Sequence, residues 1–287
     1  MTLLYKVKNE KNIYEICKNH FKISSRLYLK IKKNYISVNG NKVSTNIDLK
    51  PNDIIKIDLS YNEEQDNIVP NSNIKLDILF EDEWMLVVNK GPNLPVHPSL
   101  HYFETSLSNG VKYYYDSIGL NKKVRPVNRL DKDTSGIVIF AKCEYIQEML
   151  SKQMQHGLFK KTYIALVEGI LNNSGIIDKP IKRKDESIIE RVVSADGEKA
   201  ITTYKSIKTF NSYSLIELNL LTGRTHQIRV HMNSIDHPIL GDTLYGKSST
   251  LINRQALHSY KVEFIHPVTN KEIAITSPIP NDIKNLI

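Results

Sequence analysis

The chain has 287 residues, of which 40% are hydrophobic and 24% are charged, as expected for a folded protein with one large and one small domain. It has neither a signal peptide nor an apolar run of the ~18 residues that a membrane span needs. Its two cysteines, Cys17 and Cys143, form no metal or redox motif. We therefore expect reduced thiols, a cytoplasmic location, no membrane partner and a monomer.

The formal net charge of +8 is concentrated at one end of the chain. Residues 1–60 contain 12 Lys or Arg against 5 Asp or Glu, whereas the other 227 residues contain 27 against 26. Concentrated positive charge favours a polyanionic partner, most often a nucleic acid. A lysine-rich solvated surface explains the charge alone equally well.

Residues 1–60 have the pattern of a small α+β unit. Asn12 and Ser24 (or Ser25) are suited to cap two short helices, and Asn39-Gly40 predicts a tight hairpin before a final strand at residues 55–59. The sequence resembles the small RNA-binding domain named after ribosomal protein S-four. The resemblance implies backbone contacts to structured RNA by the basic second helix, through Arg26, Lys30, Lys32 and Lys33.

Residues 61–73 are polar and without periodicity, which predicts a linker that lets the small domain move against a large domain at residues 74–287. The large domain alternates between strand and helix patterns. Strands are predicted at residues 74–80, 84–88, 137–141, 159–167, 200–208, 213–221 and 257–264, and helices at residues 103–117, 145–156 and from Thr222 onwards.

One motif of the large domain carries an arginine and a carboxylate next to a buried strand. Arg129-Leu130-Asp131 comes shortly before the turn Thr134-Ser135-Gly136, and residues 137–141 are an unbroken apolar run. Charges at the edge of a buried strand cost free energy unless they are paired or used. We interpret Asp131 as a nucleophile, although an aspartate before a tight turn is, taken alone, more often a turn or capping residue.

Three separated segments together resemble the RluA-type pseudouridine synthases: the motif around Asp131, the strand tyrosine Tyr163, and the segment 223–229. The resemblance spans residues 74 to about 275. It implies an α+β fold with a mixed, mainly antiparallel sheet, and isomerisation of uridine to pseudouridine in RNA without metal or organic cofactor.

The resemblance also implies roles for single residues. Asp131 attacks the sugar or the uracil, and an arginine at the position of Arg224 pairs with that aspartate. Tyr163 stacks on the base and is also a candidate to remove the proton from carbon 5. Arg129 takes the place of the side chain that fills the gap left when the uridine flips out of its stack. Further substrate contacts are expected from Asn128, Leu130, Thr134, His226, Gln227 and Arg229.

The sequence departs from the family pattern at three positions. Asn128 replaces a usual histidine, which puts a substrate contact in doubt but not the nucleophile. Asn93 and Asp236 replace usual glycines, and both residue types tolerate the left-handed backbone conformation.

Other functions remain open from the residues alone. His226, His231 and His237 are close enough in sequence to suggest a metal enzyme, but the five-residue spacing of the first two places them on different helix faces. A hydrolase would need Asp133 as its acid, and an RNA-binding assembly factor would need no catalysis. Large-subunit ribosomal RNA is the favoured target, and transfer RNA is the alternative.

Overall fold

The computed structural model describes residues 1–44, 47–64 and 66–287. In its first part, four strands and two short helices form a small unit, with a π-helical turn at Ile16–His20 between the helices. The elements are β1 (Thr2–Lys6), α1 (Ile13–Glu15), α2 (Ser25–Ile31), β2 (Ile36–Val38), β3 (Asn41–Lys42) and β4 (Ile54–Asp58).

Local sequence signals explain most of the small unit. The Asn12 carboxamide and the Ser24 hydroxyl each accept a hydrogen bond from a backbone amide in the first turn of their helices, as predicted. Asn39 and Gly40 have φ angles of 51° and 84° and connect β2 to β3, which confirms the hairpin. The N-terminal strand β1 was not predicted; it pairs with β4, so that the antiparallel sheet has the order β1-β4-β2-β3.

The small unit packs against the large one through a shared apolar core. The described part of the segment between them is held at two points: the Lys122 ammonium donates to the carbonyl of Tyr61 at 2.5 Å, and Arg125 pairs with the buried carboxylate of Glu63 at 2.6 Å. Tyr61 is itself 8% exposed. These contacts contradict the expectation of a segment that lets the domains move freely.

The large unit is built on one long sheet. Its strands are β5 (Ile78–Glu81), β6 (Met85–Lys90), β7 (Arg125–Pro126), β8 (Ser135–Ala141), β9 (Lys160–Glu168), β10 (Ser174–Asp178), β13 (Ile201–Thr209), β14 (Tyr213–Leu220), β15 (Leu257–Ile265) and β16 (Glu272–Thr276), while β11 (Ile181–Arg183) and β12 (Arg191–Val193) form a separate hairpin. The helices are α3 (Leu107–Ser117), α4 (Glu144–Gln155), α5 (Gln227–Asn233) and α6 (Asn281–Lys284).

The sheet has the order β10-β13-β14-β9-β15-β8-β6-β5, with β16 beside β15 and β7 beside β8. Only the contact between β15 and β8 is parallel among the described strand pairs, so the predicted mixed and mainly antiparallel sheet is confirmed. All seven residues of β8 are buried, which is why residues 137–141 form a continuous apolar run rather than an alternating pattern.

The helix expected from Thr222 begins later, at Gln227. Its N-cap residue is His226, whose φ of 57° is left-handed and whose side chain does not cap the helix. The Thr222 hydroxyl instead donates to the carboxamide oxygen of Gln227 at 2.8 Å, so residues 222–226 form a turn that leads into α5. Asn93 and Asp236 have φ angles of 56° and 62°, which confirms the left-handed conformation expected where the family has glycine.

No helix in the described part of the chain combines the length and the apolarity that crossing a bilayer would require.

Candidate active site

Asp131 lies in the turn between β7 and β8, at the wall of a cleft of about 910 Å³. The turn is closed by a hydrogen bond from the Thr134 amide to the Asp131 carbonyl at 3.1 Å. Beneath it, the fully buried Lys90 ammonium donates to the carbonyls of Gly91 and Lys132 at 2.8 and 2.9 Å. Burial lowers the pKa of Lys90 to about 7, so this lysine supports the turn mainly through backbone hydrogen bonds.

The partner of Asp131 is Arg229. One guanidinium nitrogen of Arg229 lies 2.9 Å from an Asp131 carboxylate oxygen, while two others contact the carboxylate of Asp242 at 2.6 and 2.8 Å. Burial alone would lower the pKa of Arg229, but its contacts with Asp242 and Asp131 outweigh burial and raise that pKa. The bidentate pair with Asp242 fixes the plane of the guanidinium and thereby the rotamer available to Asp131.

Arg224 does not make the contact with Asp131 that the family resemblance implied. Its guanidinium pairs with Glu198 and donates to the carbonyl of Lys199 at 3.0 Å. The reason is the turn that precedes α5: Arg224 lies on that turn, whereas Arg229 is the third residue of α5 and is buried. Arg224 still lines the cleft, where its side chain contributes positive charge near the rim.

His226 connects Asp131 to Tyr245, which follows α5 in the chain. Its Nε2 atom lies 3.7 Å from the Asp131 carboxylate, and its Nδ1 atom lies 2.8 Å from the Tyr245 hydroxyl. Burial lowers the pKa of His226, and the charge of Asp131 offsets this only in part. His226 is therefore neutral at neutral pH, and the charge that compensates Asp131 comes from Arg229.

Tyr163 lies on β9 and faces the same cleft as Asp131. Its ring is 6% exposed, and burial raises the pKa of its hydroxyl to about 12. The hydroxyl therefore stays protonated at neutral pH. A flat, largely apolar ring with a neutral hydroxyl is suited to stack on a nucleobase.

The other expected substrate contacts divide into exposed and structural positions. Arg129 is exposed, and no described residue forms an ion pair with it. Asn128 is held by its neighbours: its carboxamide donates to the carbonyl of Ile137 and accepts from the amide of Ile139, both at 2.9 Å. Asn128 therefore connects the turn to the backbone of β8, which is a structural role.

Three more of these positions lie in the wall of the cleft and are largely shielded from solvent. Leu130 is 7% exposed and Thr134 is 2% exposed. Gln227 is also 2% exposed, and its carboxamide bonds to Thr222 and to the backbone of Ile201. These three side chains contribute to the shape of the cleft wall but have little contact with solvent.

The basic residues predicted to grip RNA in the small unit differ in their surroundings. Arg26 and Lys33 are exposed, and Lys32 is half-buried. The Lys30 ammonium pairs with Glu144 of the large unit at 3.1 Å and lies 4.9 Å from the Tyr61 ring centre. Lys30 therefore takes part in the contact between the two units.

The histidines that suggested a metal enzyme are separate and hydrogen-bonded. His231 contacts the Thr202 hydroxyl and the carbonyl of Lys179, and His237 contacts the carbonyl of Glu168. Within residues 1–44, 47–64 and 66–287, no group of three His, Cys, Asp or Glu side chains is arranged to hold a metal ion.

Two contributors to the site had no role assigned from the sequence. Asp242 and Tyr245 follow α5 in the chain. The signal available for Asp242 was indirect: a buried arginine such as Arg229 needs a carboxylate partner. Tyr245 gave no signal, because its contact with His226 depends on how the chain returns over the cleft.

Several known proteins are similar to this chain in sequence or in fold. The sequence profile of the family described as RNA pseudouridylate synthase matches residues 84–234. An RNA pseudouridine synthase of Bacillus subtilis (strain 168), YjbO, is 40% identical over 92% of this chain and 94% of its own length. The ribosomal large subunit pseudouridine synthase D of Neisseria meningitidis serogroup A is 34% identical over 92% of this chain and 74% of its own.

A solved structure, human RNA pseudouridylate synthase domain containing 1, superposes with a TM-score of 0.59 at 22% identity, over 73% of this chain and 85% of its own. At this identity the likeness concerns the fold alone.

Proposed function

Because the chain belongs to the RNA pseudouridylate synthase family and is thus an isomerase that forms pseudouridine in RNA, we propose that Asp131 is its nucleophile. The observation that carries this proposal is the placement of Asp131. It is the carboxylate that lies in the cleft, is held by Arg229 and faces the same space as Tyr163. The other carboxylate partner of Arg229, that of Asp242, is fully buried and has no access to a substrate.

The reaction moves one bond and needs no net addition of atoms. The N-glycosidic bond between N1 and the sugar breaks, the uracil turns, and carbon 5 bonds to the sugar in its place; the proton on carbon 5 leaves and N1 gains one. Asp131 attacks either the sugar or the uracil. Arg229 and Asp242 keep the carboxylate in one orientation throughout, which is a positioning role.

Tyr163 supplies a surface for the base rather than a charge. Its hydroxyl is protonated at neutral pH, since burial raises its pKa to about 12. A neutral hydroxyl removes the carbon 5 proton only if it passes its own proton on. We therefore assign Tyr163 to stacking on the uracil, with proton removal as a second role.

The cleft accepts a uridine that has left its stack, at a cost of a few kcal/mol. Arg129 is exposed beside Asp131 and has no ion-pair partner in the described chain. A long cationic side chain free to extend from the rim fits the gap that the flipped uridine leaves, because a guanidinium stacks on neighbouring bases.

The substrate proposed here is large-subunit ribosomal RNA. Support comes from relatives named as ribosomal large subunit pseudouridine synthase D, including those of Neisseria meningitidis serogroup A and of Vibrio cholerae, which are 34% and 32% identical to this chain. The basic small unit fits a structured RNA, and its likeness to the domain named after ribosomal protein S-four supports the same partner. Mapping pseudouridines in ribosomal and transfer RNA with and without this protein tests the choice.

The catalytic proposal is tested by Asp131→Asn, which keeps the shape of the side chain and removes its charge. We expect release of tritium from RNA labelled at uridine carbon 5 to fall on the order of 10³-fold or more, while RNA binding is retained. Asp133→Asn, in the same turn, is the matched control and should remain active. Wild-type release by Asp131→Asn would contradict the assignment, and loss of activity in both variants would favour a two-carboxylate mechanism.

A further inference from the structure

Lys161 is a cation of the cleft that the mechanism above does not use. It lies on β9 two residues before Tyr163, so both side chains leave the same face of the strand and line the cleft. Its Nζ atom lies 3.5 Å from the position that a Cβ atom would take on Gly223. Exposure falls along the strand from exposed Lys160, through half-buried Lys161, to the buried Tyr163. Lys161 thus lies between the rim of the cleft and its floor.

The charge of Lys161 is not compensated by the described part of the protein. No residue there accepts a hydrogen bond from its ammonium or forms an ion pair with it, whereas buried Lys90 donates to two carbonyls and Arg229 contacts two carboxylates. Burial lowers the pKa of Lys161, with no carboxylate nearby to raise it. Keeping an unpaired cation in a partly desolvated place costs free energy, which an anionic ligand would recover.

Charge and depth both favour a phosphate over the base as that ligand. Uracil is neutral, and its only acceptors for an ammonium are its carbonyl oxygens. A phosphodiester carries a full negative charge and accepts strong hydrogen bonds from an ammonium. A base stacked on Tyr163 occupies the floor of the cleft, and its ribose leads back to phosphates nearer the rim, at the depth of Lys161.

We propose that Lys161 binds one of the two phosphates that flank the flipped uridine, an inference that rests on the proposed mode of substrate binding. A phosphate contact carries no sequence information but fixes the register of the strand. Lys161 therefore sets which nucleotide stops in front of Asp131. The role differs from that of Arg129, which fills the vacated stack.

The test is a double-mutant cycle between protein and RNA. The substrate is a stem-loop RNA around a uridine mapped as modified by this protein, made with normal phosphates or with a neutral methylphosphonate at either flanking position. We expect Lys161→Met to lower kcat/KM about 10- to 100-fold on normal RNA. One of the two methylphosphonates should lower wild-type kcat/KM similarly and leave the Lys161→Met variant almost unaffected. Lys161→Arg should keep most of the activity.

Lys205→Met is the matched control, because Lys205 is exposed on β13 and its replacement removes the same charge. It should behave as the wild type on every RNA. The inference fails if Lys161→Met is as active as the wild type, or if its loss multiplies with that of each methylphosphonate, which would place the contact on the base or elsewhere.

A binding measurement separates this inference from the proposed activity. In the Asp131→Asn background, adding Lys161→Met should reduce the slope of log affinity against log salt by about one, and an unchanged slope would overturn the contact. If no RNA were isomerised by the wild type, the catalytic proposal would fail, while the salt slope measured on a structured RNA that the protein binds would still decide the role of Lys161.

Discussion

Asp131, the proposed nucleophile, is held by a guanidinium that has two carboxylate partners. Arg229 uses two nitrogens on the buried Asp242 and a third on Asp131. Removing a partner from such a buried pair is costly, because it leaves a charge without compensation. The contacts of Arg229 therefore fix the orientation of the Asp131 carboxylate in the absence of substrate.

Arg229→Lys tests this orientation while keeping the charge. Lysine is a point charge without the planar fork, so it cannot contact Asp242 in two places and Asp131 in a third. We expect kcat to fall about 10- to 100-fold with a smaller change in KM, measured by tritium release. Arg224→Lys is the comparison and should affect KM more than kcat, because Arg224 contacts Glu198 instead. A larger loss of kcat in Arg224→Lys would contradict the geometry.

His258 gives the fold a dependence on pH. It is fully buried next to the Ser135 hydroxyl, and burial lowers its pKa from 6.5 to about 4. Between these values the unfolded chain binds the proton and the folded chain does not, so stability is fully present above pH 6.5 and falls as the pH decreases to about 4. The loss from this group is about 3 kcal/mol.

Denaturant titrations at several pH values would measure this loss. The His258→Gln variant should lack this share of the pH dependence, whatever its stability at neutral pH. Equal slopes of unfolding free energy against pH in the two proteins would show that His258 is not the group responsible.

At the scale of elements, the turn that carries Asp131 is fixed by the short parallel contact between β8 and β15. Ser135 and Gly136 are aligned with His258 and Ser259. Gly136 has a φ of 113°, and a Cβ atom there would lie 2.3 Å from the Ser259 carbonyl oxygen. Only glycine allows the two strands to approach this closely next to the turn that carries Asp131.

Gly136→Ala should therefore push β15 away and lower the free energy of unfolding by about 3 kcal/mol, with loss of activity. Gly119→Ala is a matched control: Gly119 also has a positive φ, 68°, but no atom lies within 4 Å of its missing Cβ. We expect it to cost about 1 kcal/mol and to leave activity intact. Thermal or denaturant unfolding decides between the two, and equal costs would mean that the close approach is not what requires glycine.

Sequence patterns predicted the elements whose causes are local. Asn39-Gly40, Asn12 and Ser24 act through backbone preferences within a few residues, and the apolar run of β8 reflects burial on both faces. The choice between Arg224 and Arg229 was beyond such patterns, because it depends on where α5 begins. That boundary is set by the contacts of Gln227 with β13 and the preceding turn, which no local spacing encodes.

For the whole molecule, the main finding is that the basic unit is docked. Its apolar residues belong to the same core as Trp84 and Tyr145 of the large unit. Lys152 adds a hydrogen bond to the carbonyl of Lys22 at 2.8 Å, and Lys30 pairs with Glu144. Lys30, one of the basic residues predicted to bind RNA, therefore helps to hold the two units together.

The remaining exposed charges are the ones to test for RNA binding. The double variant Arg26→Ala/Lys33→Ala should weaken binding to structured RNA regardless of sequence and reduce the salt slope by about two. The double variant Lys205→Ala/Lys284→Ala removes the same charge from exposed positions of the large unit and is the control. Identical salt slopes for the two double variants would exclude α2 and the residues just after it as an RNA-binding surface.

Because the small unit is docked, the distance between α2 and Asp131 is fixed, and this distance affects which uridines are modified. If RNA is held by α2 while a uridine enters the cleft, the offset between grip and nucleophile is set by the packing of Tyr61, Glu63 and Lys122 rather than by a flexible tether. The enzyme then selects a uridine by its distance from the segment of folded RNA that α2 contacts, and the nucleotides next to that uridine in sequence matter less. Inserting flexible residues between the units would make this distance variable and broaden the set of modified sites.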